Sequence, residues 1–123
     1  MVSVPVLIDT NILIDYLSSC AQARIEIDRH SDRAISVITL IEVMAGSTAS
    51  DEDQTREFLL NFETLPLTAQ VADLAFQIRR NRKIKLPDAV IQATAGLAGR
   101  ILVTRNTRNF PPGAPGVRIP YTI

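Results

Sequence analysis

From Ala89 to Gly99 the chain carries no charged side chain. Pro87 stands just ahead of this stretch, where a helix can open without the N–H that proline lacks. A helix with no polar face has nowhere to meet water, so it is expected to be buried nearly all round, at the centre of the fold. A central helix needs a partner layer. The apolar runs Val4–Ile8 and Ile101–Val103 supply it: short, rich in β-branched residues and without alternation, as in strands covered on both faces of a parallel sheet. Hydrophobic residues make up 46% of the chain and aromatics only 5%, so the core is expected to be aliphatic.

Other elements follow from periodicity and caps. Asn11–Leu17 and Ala21–His30 read as helices broken near Ser18-Ser19, and Ala34–Val37 as a second strand. Thr39–Ala45 is a helix stopped at Gly46, and Ser50 caps another whose first turn holds Asp51, Glu52 and Asp53. Thr68 caps a helix with Val71, Leu74, Ala75 and Ile78 at helical spacing, which runs into a basic stretch from Arg79 to Lys85. Val117–Ile119 is a last strand, held to an edge by Pro120. The alternation of strands and helices predicts one α/β domain over residues 1–123, with four to five short, mainly parallel strands between helical layers.

Thirteen basic residues balance thirteen acidic ones, so a uniformly basic nucleic-acid-coating surface is excluded. Cys20 is the only cysteine, which excludes an internal disulfide and a thiolate metal cluster and suits a reducing cytoplasm. His30 is the only histidine, so acid–base chemistry by a histidine pair is excluded as well. Met1 to Pro5 shows no basic segment of a leader peptide, and no run is long enough to suggest a membrane span.

In a parallel sheet, ligands bind beyond the carboxyl ends of the strands. Asp9 follows the first strand there, Glu42 lies one turn into the helix after the second, Asp88 opens the uncharged helix, and Asn106 follows the Ile101–Val103 strand. Each has an ordinary explanation. Asp9 could cap a helix, Glu42 could face solvent, and Asp88 suits a helix dipole. Together they are harder to dismiss. Two carboxylates about 5 Å apart at an effective dielectric of about 20 repel by about 3 kcal/mol. Protons or a divalent cation must relieve three such pairs, and an all-oxygen donor set favours Mg²⁺ or Mn²⁺ over zinc.

Four segments resemble, in order, the motifs of PIN-domain ribonucleases: Leu7-Ile8-Asp9-Thr10-Asn11-Ile12-Leu13, Ile38-Thr39-Leu40-Ile41-Glu42-Val43, Leu86 to Ala95, and Leu102 to Phe110. The match spans nearly the whole chain, and the short length is similar to VapC toxins of bacterial VapBC pairs. The resemblance implies a PIN-like three-layer α/β fold and an endoribonuclease that hydrolyses RNA phosphodiesters with Mg²⁺, for which Mn²⁺ can substitute. It implies Asp9, Glu42 and Asp88 as catalytic metal-binding acids, with Asn106 as a further ligand. Thr10, Thr104, Arg82, Lys85, Arg105 and Arg108 would contact RNA or orient water. The implied partners are a VapB-like antitoxin, whose C-terminal arginine would enter the acidic crevice, and a second copy in a homodimer. The fourth motif usually supplies an Asp where this chain has Asn106 and Asn109. That departure keeps an alternative open: a catalytically weak or inactive PIN-fold module that binds RNA or protein. An aspartyl-phosphate enzyme is disfavoured by Asn11, which stands where its second Asp is wanted. Cys20 reads as a small buried hydrophobe, and Asp15, Asp28, Asp32 and Asp73 as surface.

Overall fold

The computed structural model describes residues 4–123, so Met1, Val2 and Ser3, part of the segment read for a leader, lie outside the described residues. In chain order the elements are β1 (Val6–Ile8), α1 (Thr10–Leu17), α2 (Ala21–Asp28), β2 (Arg33–Ser36), α3 (Val37–Ala45) and α4 (Glu52–Leu59). Then come β3 (Glu63–Leu65), α5 (Ala69–Arg82), α6 (Leu86–Ala98), β4 (Ile101–Val103) and β5 (Val117–Arg118). The strands pair in the order β3-β2-β1-β4-β5, all parallel. The order reverses direction between β1 and β4, which makes the carboxyl ends of those two strands the crevice where such sheets bind ligands.

Alternation along the strands divides the core. Val6, Ile8, Ile35 and Val103 face one side and pack with Ile12 and Leu13 of α1, Ala23 and Ile27 of α2, and Leu59 of α4. Leu7, Ala34 and Leu102 face the other and meet Ile91 and Ala95 of α6. The opposite flank of α6, through Ala89, Val90 and Ala93, packs on Val71 and Ala75 of α5. The result is three layers, with the sheet between α1, α2 and α4 on one face and α6, paired with α5, on the other. No helix among the described residues is long and apolar enough to cross a membrane.

Several expectations shift. The helix α6 is central, but Leu86 and Pro87 at its start and Gly96, Leu97 and Ala98 at its end are exposed, so burial is confined to its middle, between Ala89 and Ala95. Asp51, not Ser50, is the N-cap residue of α4, and its carboxylate accepts instead from the Thr48 N–H at 2.6 Å. Ser36 caps α3 by accepting from Ile38 N–H, so that helix starts before Thr39 and β2 ends one residue early. The edge strand β3 has no counterpart in the sequence reading, because Glu63 and Thr64 are exposed and only backbone pairing to β2 defines it. The short edge strand β5 is fastened by Arg118, whose guanidinium donates to both oxygens of the buried Glu26 at 2.6 and 2.9 Å.

Candidate active site

The first acid is fixed by the backbone. The N–H of Asp9 donates to the Val103 carbonyl at 2.9 Å, extending the β1–β4 ladder by one step and holding Asp9 at the switch point. It is also the N-cap of α1: Oδ1 accepts from Thr10 N–H at 2.7 Å, so the capping expectation holds alongside any other role. Oδ2 accepts from the Thr104 hydroxyl at 2.7 Å and from Asn11 Nδ2 at 3.3 Å. Thr104 is wholly buried, and its hydroxyl oxygen in turn accepts from Asn106 N–H at 3.0 Å and from Asn11 Nδ2 at 3.2 Å. Asp9 itself is only 5% exposed.

Burial pushes the Asp9 carboxyl up to about 6; the bonds from Thr104 and Thr10 oppose that rise, and the Asp88 and Glu42 charges add to it. Both other acids therefore stand near enough to act on Asp9. The order of causes differs from the sequence argument, where mutual repulsion was the main penalty. Here desolvation leads and repulsion follows.

Glu42 arrives from α3 through hydroxyls. The Thr10 hydroxyl donates to Glu42 Oε1 at 2.8 Å and lies 2.9 Å from that of Thr39, which is wholly buried three residues before Glu42 on the same helix face. The Thr10 hydroxyl is the donor in both contacts, its proton shared between Thr39 Oγ1 and Glu42 Oε1. The rest of Glu42 is exposed and borders a depression of about 430 Å³ with Ile14, Leu17, Val43 and Gln54.

Asp88 enters at the same pole because α6 ends, through Gly99 in the left-handed conformation, at the start of β4; its first turn must lie at the strands' carboxyl ends. Asp88 Oδ2 accepts from Asn109 Nδ2 at 3.2 Å, and Asn106 Oδ1 accepts from Asn109 N–H at 3.2 Å. Asp88, Asn106 and Asn109 share a cleft of about 330 Å³ with Lys83, Lys85 and Arg108. Asn106 also borders a second depression, of about 430 Å³, with Asn11, Arg105 and Arg108.

Among the described residues, no three His, Cys, Asp or Glu side chains close around a common point. That arrangement still suits a hard cation such as Mg²⁺, which keeps several waters and takes one or two carboxylates directly. The donors on offer are carboxylate, amide and hydroxyl oxygens, and the raised proton affinity of Asp9 is what a nearby positive charge would lower.

Two of the cations expected to contact RNA bond to other groups of the same chain, Arg82 at the surface and Arg105 half-buried. Arg105 makes a bidentate pair with Asp15, Nε to Oδ2 at 2.5 Å and Nη2 to Oδ1 at 2.9 Å. Arg82 donates to Gln92 Oε1 at 2.6 Å and to the Asn109 carbonyl, with its guanidinium 5.2 Å above the Phe110 ring. Asp15 is corrected too: it is buried, not on the surface, and the hydrogen bond from Arg105 holds its carboxyl below the usual range. Asp28, Asp32 and Asp73 are exposed as expected, and Cys20 is half-buried against the core. Sequence reasoning did not single out Asn11 or Thr39. Their signal was position: Asn11 two residues after Asp9, and Thr39 one helical turn before Glu42.

A profile of the PIN domain matches residues 6–111. Ribonuclease VapC10 of Mycobacterium tuberculosis is 29% identical, the match covering 86% of each chain. Among solved structures, a toxin–antitoxin complex from Klebsiella pneumoniae superposes with a TM-score of 0.90 at 42% identity, over 96% of this chain and 99% of that one. The DNA-bound VapBC of Salmonella typhimurium gives 0.75 at 26% identity, over 94% and 96%.

Proposed function

The chain belongs to the PIN domain family, and on that footing we propose that it is a metal-dependent endoribonuclease serving as the toxin of a type II toxin–antitoxin pair. The observation that carries the reading is the buried Asp9 at the β1–β4 switch point, with Glu42 and Asp88 both acting on its charge. The ribonuclease similar to it in M. tuberculosis and the toxin–antitoxin complex from K. pneumoniae support the activity and the antitoxin partner. An RNA target and an unpaired Cys20 suit the cytoplasm.

Asp9, Glu42 and Asp88 would hold Mg²⁺ or Mn²⁺, with the Asn106 amide as a neutral neighbour. When bound, such a cation supplies Lewis acidity and lowers the pKa of its water. The protein's own part is orientation. Thr104 and Thr10 N–H lock the Asp9 rotamer, the Thr39–Thr10 pair holds one Glu42 oxygen, and Lys85 and Arg108 offer positive charge to the phosphates beside Asp88. One observation favours a non-catalytic module: the Asn109 amide donates to Asp88, where a further acid would sit in the family pattern.

The test is incubation of the purified chain with end-labelled single-stranded RNA in Mg²⁺, in Mn²⁺ and in EDTA. Internal cleavage with either metal, lost in EDTA and in Asp88→Asn, is the expected result. Cleavage that persists in EDTA would overturn the metal-dependent reading. RNA binding without cleavage in any metal would favour the module.

A further inference from the structure

The pair between the buried Asp15 and the half-buried Arg105 has no part in holding the three acids. Arg105 lies between Thr104, which holds Asp9, and Asn106, which borders both clefts beside the acids. This loop leaves β4 without regular structure of its own, so its course depends on what grips it. The helix α1 grips it twice, one turn apart on the same face. Asn11 Oδ1 accepts from the Arg105 N–H at 3.4 Å, and Asp15 takes the guanidinium through two parallel bonds at 2.5 and 2.9 Å. Tyr121, from the segment after β5, donates its hydroxyl to Asp15 Oδ2 at 2.8 Å. Asp15 is thus held from two sides, with both of its oxygens occupied and its carboxyl favoured in the ionised form by the Arg105 hydrogen bond. A bidentate pair fixes direction as well as distance, which a single contact does not.

We infer that Asp15 is a positioning residue for RNA cleavage: through its bidentate pair with Arg105, backed by Tyr121, it sets the loop that carries Thr104 and Asn106 against Asp9. It rests on the ribonuclease reading for its catalytic consequence but not for its structural one. Arg105 on this account is not a phosphate contact. Loosening it displaces Thr104 and Asn106 without removing any group that binds RNA.

The test compares Asp15→Asn, Tyr121→Phe and Arg105→Lys in the full chain, with two readouts. The first is hydrogen exchange at the Asn106 amide, which bonds to the Thr104 hydroxyl. Protection there should fall in Asp15→Asn and Arg105→Lys by about tenfold, while core amides keep theirs. The second is steady-state cleavage of RNA in Mn²⁺. A misplaced loop should lower kcat by about tenfold or more with little change in KM. Tyr121→Phe should do the same more weakly, and adding Asp15→Asn to Arg105→Lys should bring no further loss. Should Asp15→Asn fail to fold, the two milder variants decide. An Asn106 amide as protected as in the parent would overturn the inference, as would a raised KM at unchanged kcat, which marks Arg105 as a substrate contact. If the parent cuts no RNA, the ribonuclease reading fails, and the exchange readout still decides the positioning.

Discussion

Replacing Asp9 by Asn in metal-free protein should change how stability depends on pH, and the structure gives the size. The carboxyl rises from 3.8 to about 6 on folding, chiefly because it is buried. A shift of that size corresponds to about 3 kcal/mol at pH well above 6. Its sign is set by proton counting: between the two values the folded chain holds a proton that the unfolded chain has released. Stability from this group is therefore complete at pH below 3.8 and is lost as pH rises through about 6. Between pH 4.5 and 7.5 the parent should lose about 2 kcal/mol that Asp9→Asn does not lose. The hydrogen bonds that Asn makes less well with Thr104 and Asn11 lower its stability by about 1 kcal/mol at every pH, so they cancel in the difference between the two pH values. Urea unfolding of both proteins in EDTA at the two pH values measures it. A difference between parent and variant that stays constant with pH, or that changes in the opposite sense, would refute the argument that Asp9 is a desolvated acid.

Lys85 and Arg108 have no ion pair among the described residues and line the Asp88 cleft, so each one replaced by Ala should reduce the slope of log RNA affinity against log salt by about 0.7. Arg82→Ala should leave that slope unchanged and lower the melting temperature instead, since its guanidinium binds Gln92 and Asn109; an altered slope would return it to the RNA surface. Asn109→Asp replaces the amide donor to Asp88 with a second carboxylate. It should destabilise the metal-free protein by about 1–3 kcal/mol and tighten Mn²⁺ binding, read from melts in EDTA and by calorimetry. Unchanged metal affinity in that variant would remove the Asn106–Asn109 segment from the metal site.

Much of this was legible because local signals and the global fold agreed. The uncharged stretch after Asp88 marked α6 as central, and the β-branched runs marked β1 and β4. Once those strands are adjacent and parallel, Asp9 and Thr104 must meet at their carboxyl ends. What sequence could not show depends on distant partners. Asp15 looks like any acid on a short helix until the loop after β4 brings Arg105 against it, 90 residues away in sequence. Arg82 likewise reads as one of a run of basic residues, and only the Phe110 ring and the Asn109 carbonyl single it out. The strand β3 was invisible because its exposed Glu63 and Thr64 carry no hydrophobic pattern and backbone pairing alone makes it a strand.

Three acids from three separate elements, Asp9 after β1, Glu42 on α3 and Asp88 on α6, are proposed to act on one divalent cation. Mn²⁺ binding followed by the electron paramagnetic resonance signal of the free ion tests it without reference to RNA. The parent should take up Mn²⁺, and Asp9→Asn, Glu42→Gln and Asp88→Asn should each weaken uptake by about tenfold or more while remaining folded. A parent that binds no Mn²⁺, or any one of the three variants binding it as tightly as the parent, would contradict the claim.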